Sequence, residues 1–378
     1  MRLLNVSMST IRSSFWRGGV CNALIFHKSD LPTDRSKWQP LFAAALGSPD
    51  PYGRQLNGMG GGVSSLSKVC VVSPSTRDDA DVDFEFVQVV IDDGSLDFAS
   101  NCGNMTAAIG PFALDEGLVG SSNVTLASAM KHASVRIYNT NTKKHIIASF
   151  PVNGDVPKFI PHGTCRMDGV PGTASEILLS FQSPGGTQTG KVLPTGQGIT
   201  SMNVQDKNGR KITASLVDVA NPGVYVDSSD LEIRPDITPA ELDHQKDTMA
   251  LLEAVRREAA RLMGMDPNTG SVPKVVILFK PTDEEVSAGV NIKSLTLSMG
   301  QAHKAIPLTL ALNLGVACRI EGTLAYGLAR NMSRDGRVTI QHPSGMIDVG
   351  VDISGEDILS TTLYSTARLL MKGEVNVE

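Results

Sequence analysis

Asn101-Cys102-Gly103-Asn104-Met105-Thr106 stands between a β-patterned run and an apolar run of helical character. A cysteine at such a junction sits at a helix start. There, unpaired backbone N–H groups and the positive end of the helix dipole favour thiolate over thiol. The same N–H groups can seat a carboxylate, and the adjacent glycine lets a ligand approach the backbone. The plain alternative is an inert packing thiol, because free cysteine is among the most buried residue types.

Outward from this stretch, short strands alternate with glycine and proline breaks. Val82–Ile91 alternates apolar and polar residues and then turns fully apolar, which predicts a strand. Val135–Tyr138 and Ile146–Phe150 predict strands around a turn at 139–142, and 212–219 and 274–279 predict two more. Met105–Leu114 predicts a short helix, as does Ala305–Ala317. Thr238-Pro239-Ala240-Glu241 is a capping box with proline at the first helical position. Apolar residues at helical spacing from Leu242 to Leu262 then predict one long helix ended by Gly264. Ser64–Val69, behind Gly60-Gly61-Gly62, predicts another helix start, and 358–371 predicts a helix in the tail.

A faint repeat runs through the chain. In each half a strand delivers a polar cluster (101–104, then 300–304) to an apolar helix. Two such units facing each other enclose a cleft between positive helix ends, suited to a ligand with several carboxylates. Ser183–Gly190 is rich in turn formers and reads as the crossing between halves. The expected domains are therefore 1–184 and 185–354, with 355–378 returning to the first.

Composition narrows the function. The 378 residues carry a net charge of -5 with 36 glycines. No basic stripe with interleaved aromatics argues for nucleic acid, and no apolar run approaches the roughly 20 residues that span a bilayer. Met1–Ser7 lacks the apolar core and cleavage site of a signal peptide. The five cysteines are widely spaced without C-x-x-C, which disfavours a disulfide scaffold or structural zinc. A reducing compartment is expected: the cytoplasm, with mitochondria also compatible. The seven histidines form no metal-binding motif.

Arg17-Gly18-Gly19, Gly58-Met59-Gly60-Gly61-Gly62, Ser64-Ser65-Leu66-Ser67-Lys68, Asn101-Cys102-Gly103-Asn104, Leu193-Pro194-Thr195-Gly196, Met299, His303-Lys304-Ala305 and Gln341-His342-Pro343-Ser344-Gly345 together resemble the PrpF family. That family contains methylaconitate, methylitaconate and aconitate Δ-isomerases and 4-oxalomesaconate tautomerase. The resemblance implies an α+β chain of two pseudo-symmetric diaminopimelate-epimerase-like domains. Each would be a β-sheet or barrel around a central helix, with the active site in the cleft between them. It implies proton abstraction and return on an unsaturated di- or tricarboxylate, without cofactor or metal, and it leaves room for a homodimer.

By the same resemblance Lys68 and Cys102 are the catalytic candidates. The substrate-binding candidates are Arg17, Gly18, Gly19, Ser64, Ser65, the backbone of Gly103, Asn104 and Met105, then Asn221, Met299, His303, Lys304, Ser344 and Gly345. Arg17 would clamp a carboxylate. Related epimerases carry a second cysteine where this chain has Ala302-His303-Lys304-Ala305, which suggests isomerisation and not two-base racemisation. After Arg-Gly-Gly the family commonly has threonine, serine and lysine, whereas this chain has Val20-Cys21-Asn22. Tautomerase, racemase and non-catalytic carboxylate-binding readings stay open at this point. So do plain readings of single residues, such as Lys68 as a solvated helix lysine.

Overall fold

The computed structural model describes residues 10–120, 124–127, 130–204, 209–355 and 357–378; Met1–Ser7 lie outside them. The first half is built on strands β1 (Thr10–Gly18), β2 (Cys21–His27), β3 (Lys68–Pro74), β4 (Val82–Val89), β5 (Met130–Asn139), β6 (Lys144–Asn153) and β7 (Ile177–Gln182). The second is built on β8 (Lys211–Val219), β9 (Asn221–Asp227), β10 (Lys274–Phe279), β11 (Ile292–Ser298), β12 (Arg337–His342), β13 (Gly345–Ser354) and β14 (Asp357–Ser365).

The faint repeat in the sequence is a full topological repeat. Successive pairs from β1 to β7 run antiparallel, parallel, antiparallel, parallel, antiparallel and antiparallel. Pairs from β8 to β14 follow the same order. β7 pairs with β14 and so joins the halves. A last strand, β15 (Ala367–Asn376), pairs with β1 and returns the chain end to the first half.

Of the longer helices, α1 (Trp38–Leu46) packs on a satellite core with Phe26 and Val71. α2 (Gly103–Asp115) follows β4, and α3 (Pro239–His244) and α4 (Lys246–Leu262) follow β9. α5 (Leu308–Ala317) follows β11, the place in the second half that α2 holds in the first. α2 is buried from Gly103 to Leu114 and α5 along its whole length. A helix apolar on all sides is stable only when sheet surrounds it. The eighth residue of each is glycine. A Cβ on Gly110 would stand 2.7 Å from Phe150 and one on Gly315 2.9 Å from Val349.

Three expectations are corrected. The tail contains no helix at 358–371; β14 and β15 lie there. Leu359, Tyr364, Leu369 and Leu370 are exposed, so their helix-like spacing does not mark a core face. Ile358, Thr361 and Leu363 are the inward residues, and strand pairing on β7 and β13 decides the conformation. The long helix is two, because the chain leaves helical geometry at Gln245 (ψ 77°). Asp243 turns away from α3 to accept the Ala302 N–H at 2.7 Å. Ser64–Leu66 is one 3-10 turn, after which Lys68, Val69, Cys70 and Val71 enter β3.

The starts of α2 and α5 are tied together by Asn221. Its side chain accepts the Asn101 N–H (3.1 Å) and donates to the Asn101 carbonyl (2.7 Å) and the Thr309 hydroxyl (3.0 Å). Asn313 donates in turn to the Asn221 and Val217 carbonyls. All of this is buried, where an orphaned polar group costs about 1–3 kcal/mol. Asn221→Ala is expected to lower stability by about 3 kcal/mol in urea denaturation. A loss below about 0.5 kcal/mol, the size of a neutral surface change, would contradict the clasp.

Candidate active site

The two helix starts meet at a chamber lined by residues of both halves. Cys21, Ser64, Ser65, Lys68, Gln88, Asn101, Cys102, Gly103 and Asn104 come from the first. Ser271, Lys274, Ser298, Met299, His303, Pro307, Leu308 and Thr309 come from the second. Ser64, Ser65 and His303 also line a larger outer vestibule with Val20, Leu66, Asp243, Lys304 and Ser344.

Cys102 caps α2 and is almost fully buried. Burial pushes its thiol up. Against this act a hydrogen bond with Cys21, whose sulfur is 3.9 Å away, then the Lys68 charge, the Met105 N–H and the Lys274 charge. The opposing contributions win and hold Cys102 down at about 6. No single one of them matches burial; the hydrogen bond with Cys21, the two lysine charges and the helix N–H do so together. Cys21 lies well above the ordinary thiol value, chiefly because its hydrogen bond with Cys102 keeps its proton on. Cys21 is therefore the donor and the Cys102 thiolate the acceptor.

Lys68 opens β3 and is 6% exposed. Its ammonium donates to Gln88 Oε1 at 2.5 Å and stands 5.0 Å from the centre of the Phe86 ring. Gln88 is itself fixed, since its amide donates to the carbonyls of Ser64 (3.1 Å) and Ser67 (2.8 Å). That ties the serine turn to the lysine.

His303 carries no charge at neutral pH. Burial pushes it down to about 4, with nearby Lys68, His342 and Lys274 adding to the effect. Its Nδ1 accepts the Ala305 N–H at 3.1 Å, so the ring proton sits on Nε2. Met299 holds a positive φ of 53°, a conformation costly for a residue with a side chain and frequent at functional sites.

The chamber thus brings together Lys68, Cys102, Ser64, Ser65, Gly103, Asn104, Met299 and His303 from the residues expected at the site. Lys304 and Ser344 line the vestibule, where the Ser344 hydroxyl donates to the Lys304 carbonyl. The other candidates stand elsewhere. Arg17 faces a separate pocket with His162, Cys165 and Arg368. Its Nη1 is spent on the carbonyls of Gly19 and Thr366 and the Thr366 hydroxyl.

Gly18 and Gly19 pack on the start of α2. A Cβ on Gly18 would stand 2.5 Å from the Asn104 carbonyl, and Gly19 has φ +50°. The Asn104 side chain turns back to accept the Val20 N–H at 3.0 Å. Met105 is fully buried, with its N–H committed to Cys102. Asn221 is the clasp already described, and Gly345 packs against Asp168 at the β12–β13 turn. Glycine and asparagine motifs are ambiguous in a sequence, because close packing and ligand contact demand the same residues.

Gln88, Lys274 and Ser271 were missed. Gln88 and Lys274 sit on buried strands, where a sequence offers only a strand pattern with one polar residue in it.

The profile of the PrpF protein family matches residues 8–378. The chain is 33% identical over 377 residues to 3-methylitaconate isomerase of Eubacterium barkeri, covering 96% of each. It is 33% identical over 362 residues to 4-oxalomesaconate tautomerase of Pseudomonas putida, covering 95% of this chain and 94% of the other. The crystal structure of methylitaconate-delta-isomerase superposes with a TM-score of 0.75 at 32% identity, over 97% and 96% of the two chains. A hydroxyproline epimerase structure matches at TM-score 0.57 and 11% identity over 98% and 93%, a likeness of fold alone. The fold is that of the epimerase-like isomerases, α+β with pseudo-symmetric halves. This chain belongs to the PrpF family. It is an isomerase.

The charge arrangement is open to direct measurement. Alkylation by iodoacetamide should select Cys102 over Cys70 and Cys318, which burial raises. Its rate should climb with pH through about 6, where the thiolate forms. Removing a nearby cation disfavours the thiolate, so Lys68→Met should shift that midpoint upward. An unmoved midpoint would show that Lys68 does not stabilise the sulfur.

Proposed function

We propose that the chain is a cofactor-independent isomerase that shifts or isomerises the C=C bond of an unsaturated di- or tricarboxylate of aconitate, methylaconitate or alkyl-itaconate type. One observation carries the reading. A buried cysteine at a helix start, held down at about 6, and a buried lysine line one chamber, which sets a base beside a proton donor.

In this reading one carboxylate lies over the start of α2, beside Ser64 and Ser65. The two serine hydroxyls have no protein partner among the described residues. The Cys102 thiolate takes the proton from the carbon next to the double bond, so a C–H bond breaks and an S–H bond forms. The negative charge spreads over the allylic system onto the carboxylate, where helix N–H groups and the His303 Nε2–H are aimed to hold it. Lys68 gives a proton to the far carbon, and the Cys102 proton then restores the lysine. Gln88 and Phe86 keep the ammonium oriented between turnovers.

A racemase needs a second base on the opposite face. The second half carries Pro307 at the position that matches Cys102, so the paired cysteine of a two-thiol racemase has no counterpart there. A keto–enol tautomerase would use the same acid and base, and a relative bears that name. Proton NMR in D2O with cis-aconitate, 2-methylaconitate, 3-methylitaconate and 4-oxalomesaconate separates these outcomes. The reading expects interconversion of isomers with deuterium entering the substrate. Binding of these acids without any interconversion would favour a non-catalytic binding protein. Lys68→Ala should lose at least about 10²-fold in kcat with the fold intact by circular dichroism. Wild-type turnover in that variant would overturn the assignment.

A further inference from the structure

We propose that Lys274 and Ser271 form a second carboxylate seat, so that the substrate is a dicarboxylate gripped from both halves of the molecule at once. The inference rests on reading the chamber as the site of a carboxylate isomerase. What it adds is a residue pair in the second half and the task that this half performs.

Register carries the argument. In the first half Leu24 pairs with Val69, so Lys68 lies level with Ala23, two residues after Cys21. In the second half Gly223 pairs with Lys274, two residues after Asn221. Both lysines open the third strand of their half, on the same side of a parallel pair. Lys274 is therefore the symmetry twin of Lys68, and the twins enter one chamber from opposite halves.

The twins are equipped differently. Ahead of α2 stands Cys102, and the twin position ahead of α5 is Pro307. The second half puts no thiol into the chamber, and the histidine it does contribute is neutral. In place of the thiol it supplies Lys274 and hydroxyl donors.

Its donors are waiting. Lys274 is 8% exposed, and among the described residues its one acceptor is the Ser271 carbonyl, which leaves two N–H groups. Ser271 is 2% exposed, and its hydroxyl has no partner among the described residues. The charged groups that act on Lys274 are Lys68, Asp97, Cys102 and Arg256. Asp97 is engaged by the Ser271 N–H at 3.2 Å. Arg256 is committed to Glu253 and to the carbonyls of Pro267 and Thr269. Burial, then the Lys68 charge, hold Lys274 down at about 8. What the second half leaves unspent is hydrogen-bonding capacity, two ammonium N–H groups on Lys274 and the buried Ser271 hydroxyl, which an incoming second carboxylate would take up.

The test uses two small acids that differ by one carboxylate, mesaconate and crotonate, as protectants of Cys102 against iodoacetamide. In the wild-type protein mesaconate should protect at about 30-fold lower concentration than crotonate, the size of one charge-assisted contact. Lys274→Met should reduce that ratio to about threefold while leaving the crotonate constant unchanged, which a general loss of structure would not do. Ser271→Ala should reduce it about fivefold, and this variant decides the matter if Lys274→Met does not fold. A wild-type preference for mesaconate that persists in the folded variants overturns the second seat while the isomerase reading stands. Failure of both acids to protect the wild-type protein overturns the isomerase reading and this inference together.

Discussion

The arrangement depends on holding two helix starts against each other inside a dry core. Asn221 does this with three hydrogen bonds, two to the backbone of Asn101 and one to Thr309. The helices themselves are mostly apolar, and Asn104 and Asn313 are among the few side chains that tie them to neighbouring backbone. Small residues let the strands close around them, and Gly110 and Gly315 mark where closure is tightest. The positive helix ends are thereby buried together, and the chamber between them becomes a place where negative charge is strongly favoured.

That electrostatic setting explains the protonation states. Desolvation alone would keep Cys102 a thiol and does so for Cys70 and Cys318. Cys102 differs by its place at the helix start, with the Met105 N–H, the Cys21 proton and two lysines around it. The Cys21 thiol donates to the Cys102 sulfur, and Val20 beside it lines the vestibule.

Pseudo-symmetry gives the two halves one scaffold and lets them diverge in task. The strand order, the place of the central helix and the lysine at the third strand are shared. The cysteine and its glutamine-supported lysine belong to the first half. The second contributes Lys274, the Ser271 hydroxyl and a neutral His303.

The sequence by itself determined the family, the central helices and most strands, because each rests on local pattern or a contiguous motif; the resemblance named Lys68 and Cys102, which line one chamber. It also carried the hint of a repeat. It misread the tail as helix and merged α3 with α4, since apolar spacing at 358–371 suits either conformation until strand partners are known. Only the tertiary structure decided that Arg17, Gly18, Gly19, Asn221 and Gly345 serve packing or lie outside the chamber, while Gln88, Ser271 and Lys274 line it. The physical reason is register. A lysine at a strand start becomes the twin of another only when two parallel pairs, some 200 residues apart in the chain, are laid side by side.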